Sequence, residues 1–249
     1  MALGKSPLSN GIAAIRLMVQ SGHSWGVTAL AKELGMPKSS IHRLLQSLIE
    51  LGFVQKIEQT KRYTVSADIF EFIHEIATHF GKNRSLGECL WEAARTLECS
   101  VYLNMLGHQC SYVICAAGEE GSTSKLGLHA KSYESSAGKV LIAQMDEAEW
   151  PRYAPPNDAE NPSQKNPQSE RFYGQLREAR DKRVAWNLRE SSPNYVSLAA
   201  VVREPFITQP RLAVALLLRY EELRLRDPDE LEQAVLVLAD ELEHILGLH

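Results

Sequence analysis

The sequence predicts an α+β protein with domains at residues 1–66 and 83–249 and a linker helix over 67–82, and three observations carry that reading. First, the stretch TALAKELGMPKSSIHRLLQSL, Thr28 to Leu48, places apolar residues at helical spacing on both sides of a glycine. Second, charge is divided. Residues 1–66 hold eight of the 27 Lys and Arg but three of the 31 Asp and Glu, leaving 19 against 28 for the rest of the chain. Third, beyond residue 83 the pattern runs helix, hairpin, helix, strands and terminal helix, the order of an α+β sensor-like domain.

In the first domain Thr28 is expected to cap a helix that buries Leu30 and Leu34 and ends at Gly35. Pro37 then opens a second helix, where a missing N–H costs nothing. Ile41, Leu44, Leu45 and Leu48 form its buried stripe. Its other face carries Lys38, Ser39, His42, Arg43 and Gln46, donors suited to phosphate oxygens and base edges, with Ser40 beside them. Two short β-like runs follow, Val54 to Ile57 and Arg62 to Val65, joined by a polar turn. Two helices and a hairpin make a winged helix-turn-helix, with Lys56, Lys61 and Arg62 on the wing within reach of a phosphate backbone. The expected DNA-contacting set is these ten residues, Thr28 included. A basic module on an acidic body suggests nucleic acid contact through one end only. RNA fits less well, since the reading helix has no aromatic residue to stack an unpaired base. A winged helix that serves as a protein-interaction adaptor is the rival reading.

Ala67 to Phe80 carries Ile69, Phe70, Phe72, Ile73, Ile76 and Phe80, too apolar for a helix bathed in water on most sides. It packs either on a partner or on its own C-terminal domain. The second domain begins near Lys82-Asn83 with a helix over Ser85 to Leu97. A hairpin follows from Val101 to Leu106 and Ser111 to Ala116, around Gly107-His108-Gln109. Ser135 to Met145 reads as a helix whose N-terminus points free amides forward. Pro151 to Pro167 reads as a loop, Phe172 to Lys182 as a helix, and Val196 to Val202 and Leu212 to Leu218 as buried strands. Asp227-Pro228-Asp229-Glu230 supplies the cap, first-turn proline and acidic first turn of a final helix running to about Leu246.

Composition bounds the functional classes. The N-terminus lacks an apolar signal core and the longest apolar run, Leu212 to Leu218, is too short to span a bilayer, so a soluble cytoplasmic protein is expected. Cys89, Cys99, Cys110 and Cys115 form no CxxC pair and read as reduced, mostly buried thiols. No metal or cofactor is expected: His74 and His79 are five apart, off the i, i+4 spacing of two ligands on one helical face. Catalysis is not expected either. Gly138-Lys139 ends like a phosphate-binding loop, but Tyr133 and Val140 stand where that loop needs Gly and Ser or Thr. There is no GxSxG elbow, and Glu119 and Glu120 are adjacent rather than opposed across a cleft.

The chain resembles the IclR family of bacterial transcriptional regulators over nearly its whole length. The resemblance rests on LAKELGMPKSSIHRLLQSLIELGFV in the winged helix, on SSAGKVLIAQM at Ser135 to Met145, and on VAWNLRESSPNYVSLAAVV at Val184 to Val202. It implies a GAF-like C-terminal domain that binds a small metabolite, a homodimer formed through the N-terminal region, often a tetramer, and double-stranded operator DNA as partner. It also implies an effector pocket beside the amides of Ser136 and Ala137, lined by Asn187, Ser197, Leu216 and Leu218. Members that bind small organic acids tend to have an acidic residue near Asn187 and hydroxyls where Leu216 and Leu218 stand. Leucines remove donors and add apolar lining, which disfavours glyoxylate or pyruvate and points to a larger, partly apolar or aromatic acid. The two leucines fit strand core equally well, and Asn187 and Ser197 could equally satisfy turn and strand backbone.

Overall fold

The computed structural model describes residues 6–73, 75, 84–118, 125, 127–156 and 167–247. Two compact units result, Met1–His79 and Phe80–His249.

The first unit contains α1 (Pro7–Ser21), α2 (Val27–Glu33), α3 (Lys38–Glu50) and a hairpin of β1 (Val54–Ile57) and β2 (Arg62–Val65). The hairpin has the bounds expected from its pattern. Helix α1 lies outside the expected elements, although Ser6 caps it by accepting from the Ser9 amide at 3.2 Å and Pro7 sits in its first turn. Thr28 is not a cap. Gly26 has the extended N-cap backbone, and Thr28 lies exposed at the second position of α2. Pro37 likewise stands one residue outside α3, with ψ 143°, so that its carbonyl accepts from the Ser40 and Ile41 amides at 3.0 Å each. Gly35 ends α2 as expected, with φ 63°, the left-handed conformation a side chain would oppose. Ala14, Met18, Leu30, Ile41, Leu45, Leu48, Val54 and Tyr63 pack into one core, with Leu44 half-buried at its margin. Trp25 and Tyr63 exchange backbone hydrogen bonds of 2.7 and 2.8 Å, fixing the wing to the segment before α2. Of the expected linker helix, residues 69–73 and 75 are helical, and Phe72 meets Phe53 edge-on at 5.6 Å. His74, residues 76–83 and the expected boundary at Lys82-Asn83 lie outside the described residues, and so do Glu119 and Glu120.

The second unit contains α4 (Arg84–Thr96), β3 (Ser100–Leu106), β4 (Cys110–Ala117), β5 (His129–Lys131), α5 (Ser136–Ala143), α6 (Pro167–Lys182), β6 (Val184–Leu188), β7 (Tyr195–Val202), β8 (Leu212–Arg219), α7 (Tyr220–Leu223) and α8 (Pro228–Gly247). Its sheet is antiparallel throughout, in the order β5-β4-β3-β8-β7-β6. Helices α4 and α8 cover one face, where Leu86, Leu90, Leu238 and Leu242 meet Leu103, Leu198, Val214 and Leu216. Helices α5 and α6 cover the other, where Val140, Phe172 and Leu176 meet Ala185, Ala199, Val201, Ala213 and Ala215. Alanines on that face let α5 lie close, and all eight of its residues are buried. The α+β class is thus as expected. The stretch expected as a loop is shorter at both ends: Glu147–Arg152 is a 3-10 helix carrying Pro151, and Pro167 begins α6. The cysteines are half-buried rather than buried, and burial pushes the Cys89 and Cys99 thiols up to about 11.

Candidate nucleic-acid interface and ligand site

Burying Ile41, Leu45 and Leu48 turns Lys38, Ser39, His42, Arg43 and Gln46 outward, all exposed, with Ser40 half-buried. Gln46 donates to the Glu50 carboxylate at 3.0 Å. The side chains of Lys38 and Arg43 have no polar partner among the described residues, so a row of donors stands open along α3. The wing is different. Glu58 accepts from Lys56 at 3.1 Å and from Lys61 at 2.7 Å. Arg62 donates through Nε to the Ser24 hydroxyl at 2.9 Å and through both Nε and Nη2 to the Ser24 carbonyl. Arg62, expected as a phosphate contact, is therefore also a tether between the wing and the segment before α2.

In the second unit the first turn of α5 is pinned from several sides. Ser135 caps it, its hydroxyl accepting from the Gly138 amide at 3.2 Å while hydrogen-bonding Ser111 Oγ at 2.7 Å. Ser136 Oγ meets Ser197 Oγ at 2.8 Å. A Cβ at Gly138 would stand 2.2 Å from the Ser132 carbonyl oxygen, so the turn lies directly on backbone. Beside it the Ser132 hydroxyl is buried with no hydrogen-bond partner among the described residues.

Sheet register decides which expected residues share this place. Asn187 pairs with Ser197 and Ser197 with Leu217, and Leu217 pairs with Ser100, so these four form one row across four strands. Leu216 and Leu218 belong to the opposite face, in the core under α4 and α8. They do not line a site with Ser136, Ala137 and Ser197, because successive strand residues alternate between faces and the expected pair is one position out of phase. Leu217 is the residue of that strand on the Ser197 face. Asn187 is buried, and both ends of its amide serve its own turn: Oδ1 accepts from the Glu190 amide at 2.8 Å and Nδ2 donates to Ser191 Oγ at 2.6 Å. A groove of about 1140 Å³ continues past this row, lined in part by Trp91, Ser100, Tyr195, Leu217, Arg219 and Arg226.

Two residues absent from the expected set meet beside this turn. Lys139, fully buried in the first turn of α5, is 2.5 Å from a Glu190 carboxylate oxygen. The other oxygen accepts from Gln175 at 2.7 Å and lies 3.6 Å from Arg171, so one carboxylate ties α5, α6 and the turn after β6 together. The signal in the sequence is a charge inside the otherwise apolar AGKVLIA. Among the described residues no group of His, Cys, Asp and Glu could hold a metal ion, and no helix is long and apolar enough to cross a membrane.

Residues 7–58 match the IclR helix-turn-helix domain. The chain is 26% identical over 156 residues to the transcriptional repressor IclR of Escherichia coli (strain K12), covering 56% of this chain and 53% of that protein. It is 25% identical over 127 residues to the regulator KdgR of the same organism, covering 50% and 48%. The chain thus spans about half the length of the curated relatives it matches. These relatives are transcriptional regulators. A solved IclR homolog from Microbacterium hydrocarbonoxydans, complexed with 4-hydroxybenzoate, shares the fold with TM-score 0.73 at 12% identity, covering 98% of this chain and 100% of its own. An IclR family regulator from Brucella abortus shares it with TM-score 0.71 at 18% identity, covering 97% and 90%.

Proposed function

We propose that this chain, which belongs to the IclR family, is a sequence-specific DNA-binding transcriptional regulator whose operator affinity is modulated by a small molecule. The observation that carries the reading is the open donor face of α3 on a winged helix, with Lys38 and Arg43 unpaired among the described residues. Residues 1–66 are the DNA-binding domain, 67–82 the linker and 83–249 a GAF-like effector-binding domain. A homodimer supplies two reading helices at a fixed spacing, so a ligand-driven change in their placement alters half-site engagement. Leu8, Ile12 and Val19, an exposed apolar stripe along α1, support association through the N-terminal region, in a cytoplasmic dimer or tetramer.

The ligand site is the first turn of α5 with Ser136, Ala137 and Ser197, joined by Leu217 and opening toward the groove at Tyr195. The Ser136 and Ala137 amides and the paired Ser136 and Ser197 hydroxyls suit a carboxylate, and Leu217 and Tyr195 suit a ring, so the effector is an organic acid with an apolar or aromatic body. The aromatic acid bound by the Microbacterium homolog supports that class. A fluorescence titration of the purified protein against the DNA upstream of its own gene, with unrelated DNA as competitor, tests the regulator reading. Selective binding supports it, whereas binding no better than to competitor favours a protein-interaction adaptor. Arg43→Ala is expected to keep its melting curve and lose roughly 10- to 100-fold in affinity for the selected segment, as for one lost base contact. Unchanged affinity would mean that α3 is not the reading helix.

A further inference from the structure

The wing presents three cations and one carboxylate, and the carboxylate sits between two of the cations. Glu58 lies at the start of the turn after β1, with Lys56 on the strand before it and Lys61 at the end of the turn. Its two oxygens take one lysine each, Oε1 the Lys56 ammonium at 3.1 Å and Oε2 the Lys61 ammonium at 2.7 Å. Residues 1–66 hold three acidic residues, Glu33, Glu50 and Glu58. Glu50 accepts from Gln46 at the far end of α3, and Glu33 lies exposed on α2. Only Glu58 stands on the wing, and the two ammonium groups hold its carboxyl below the ordinary range, so it stays ionised.

We propose that Glu58 is a specificity-determining residue of the DNA interface, an internal stand-in for phosphate that keeps both wing lysines occupied until a correctly registered duplex takes them over. The inference rests on the reading of this unit as a DNA-binding domain. Phosphate contact through Lys56 and Lys61 requires the two ammonium groups to leave one carboxylate, and the freed carboxylate then faces phosphate of like charge. An arbitrary duplex, held by backbone contacts alone, offers little to offset both effects. A duplex whose bases engage α3 is held in one register, and its phosphates meet the wing at high effective concentration. Glu58 thus lowers non-specific binding more than specific binding and widens the ratio that matters among competing genomic sites. Solvent-exposed ion pairs are individually weak, so the device tunes affinity and does not abolish it.

The test uses the full chain, a fluorescent duplex of arbitrary sequence and the upstream segment selected by the titration described above, each over a range of salt concentrations. Glu58→Gln keeps the size of the side chain and removes the charge. The variant is expected to bind the arbitrary duplex roughly tenfold more tightly at low salt, with the slope of log affinity against log salt steeper by about 1–2, at about 0.9 for each further phosphate neutralised. Its increase in affinity for the upstream segment is expected to be smaller, so the ratio between the two falls. Glu33→Gln removes the same charge from the same unit without touching the wing lysines and is expected to leave the slope unchanged. An unaltered slope in Glu58→Gln, or the same increase in Glu33→Gln, overturns the proposal, because the effect would then be absent or one of net charge. Salt-insensitive or absent binding of every duplex by the wild type would instead overturn the DNA-binding reading itself, and this inference with it.

Discussion

Glu190→Ala is expected to destabilise the protein by about 3–5 kcal/mol, the range for a buried ion pair broken from one side. Lys139 is fully buried, and Glu190 is its one counter-charge among the described residues, at 2.5 Å. Gln175 and Arg171 lose their acceptor as well. In a unit of this size the loss corresponds to a fall in Tm on the order of 10 °C, read by calorimetry. The pH dependence gives a second handle. Burial, helped by Arg171, holds the Lys139 ammonium below the ordinary lysine value of 10.5, with Glu190 working against both. A lysine whose folded pKa lies below its unfolded value binds fewer protons folded than unfolded, so stability rises with pH between the two values. Without Glu190 that window widens downward. Urea unfolding at neutral and alkaline pH should therefore show Glu190→Ala recovering stability toward pH 10.5 more than the wild type does. The double change Lys139→Met with Glu190→Gln leaves no orphan charge and is expected to fall much less in Tm than Glu190→Ala. Equal losses in the two proteins would mean that packing, not charge, makes Glu190 necessary.

Gly138→Ala is the other large effect. Its added methyl would meet the Ser132 carbonyl oxygen at 2.2 Å, Cα at 2.6 Å and carbonyl carbon at 2.8 Å, backbone atoms that have no rotamer to retreat into. Overpacking of this kind costs about 1–3 kcal/mol even where neighbours can shift, and here the first turn of α5 must lift from the chain beneath it. Lifting it also draws Ser136 from Ser197 and Ser135 from Ser111, now 2.8 and 2.7 Å apart. The expected result is a lowered Tm together with loss of binding for any acid that the wild type binds, measured by calorimetric titration. Wild-type melting and binding in this variant would show that the turn and the segment at Ser132 can part without consequence.

Much of this architecture is legible in the sequence because its signals are local. Gly35 and the stripe of Ile41, Leu45 and Leu48 fix α2, α3 and the outward donor face within a few residues of each other. Asp227 and Pro228 start α8 as their order requires, with the Asp227 carboxylate accepting from the Asp229 amide at 2.9 Å. The cap signals of α1, Ser6, Pro7 and the left-handed Gly22, are equally local, but the stronger pattern after Thr28 overshadows them.

What the sequence determined by itself is the two-part plan: a basic winged helix with its donors outward, and an acidic α+β domain in which a helix near Ser135 presents its N-terminal amides. Only the tertiary structure decided which residues of that domain meet. In LAVALLL every position is apolar because helices cover both faces of the sheet, so no alternation marks Leu217 as the neighbour of Ser197 or sends Leu216 and Leu218 to the other side. Lys139 and Glu190 lie 51 residues apart, and Arg62 and Ser24 lie 38 apart. Pairing register and helix packing create such contacts, and neither is written in any local window of the chain.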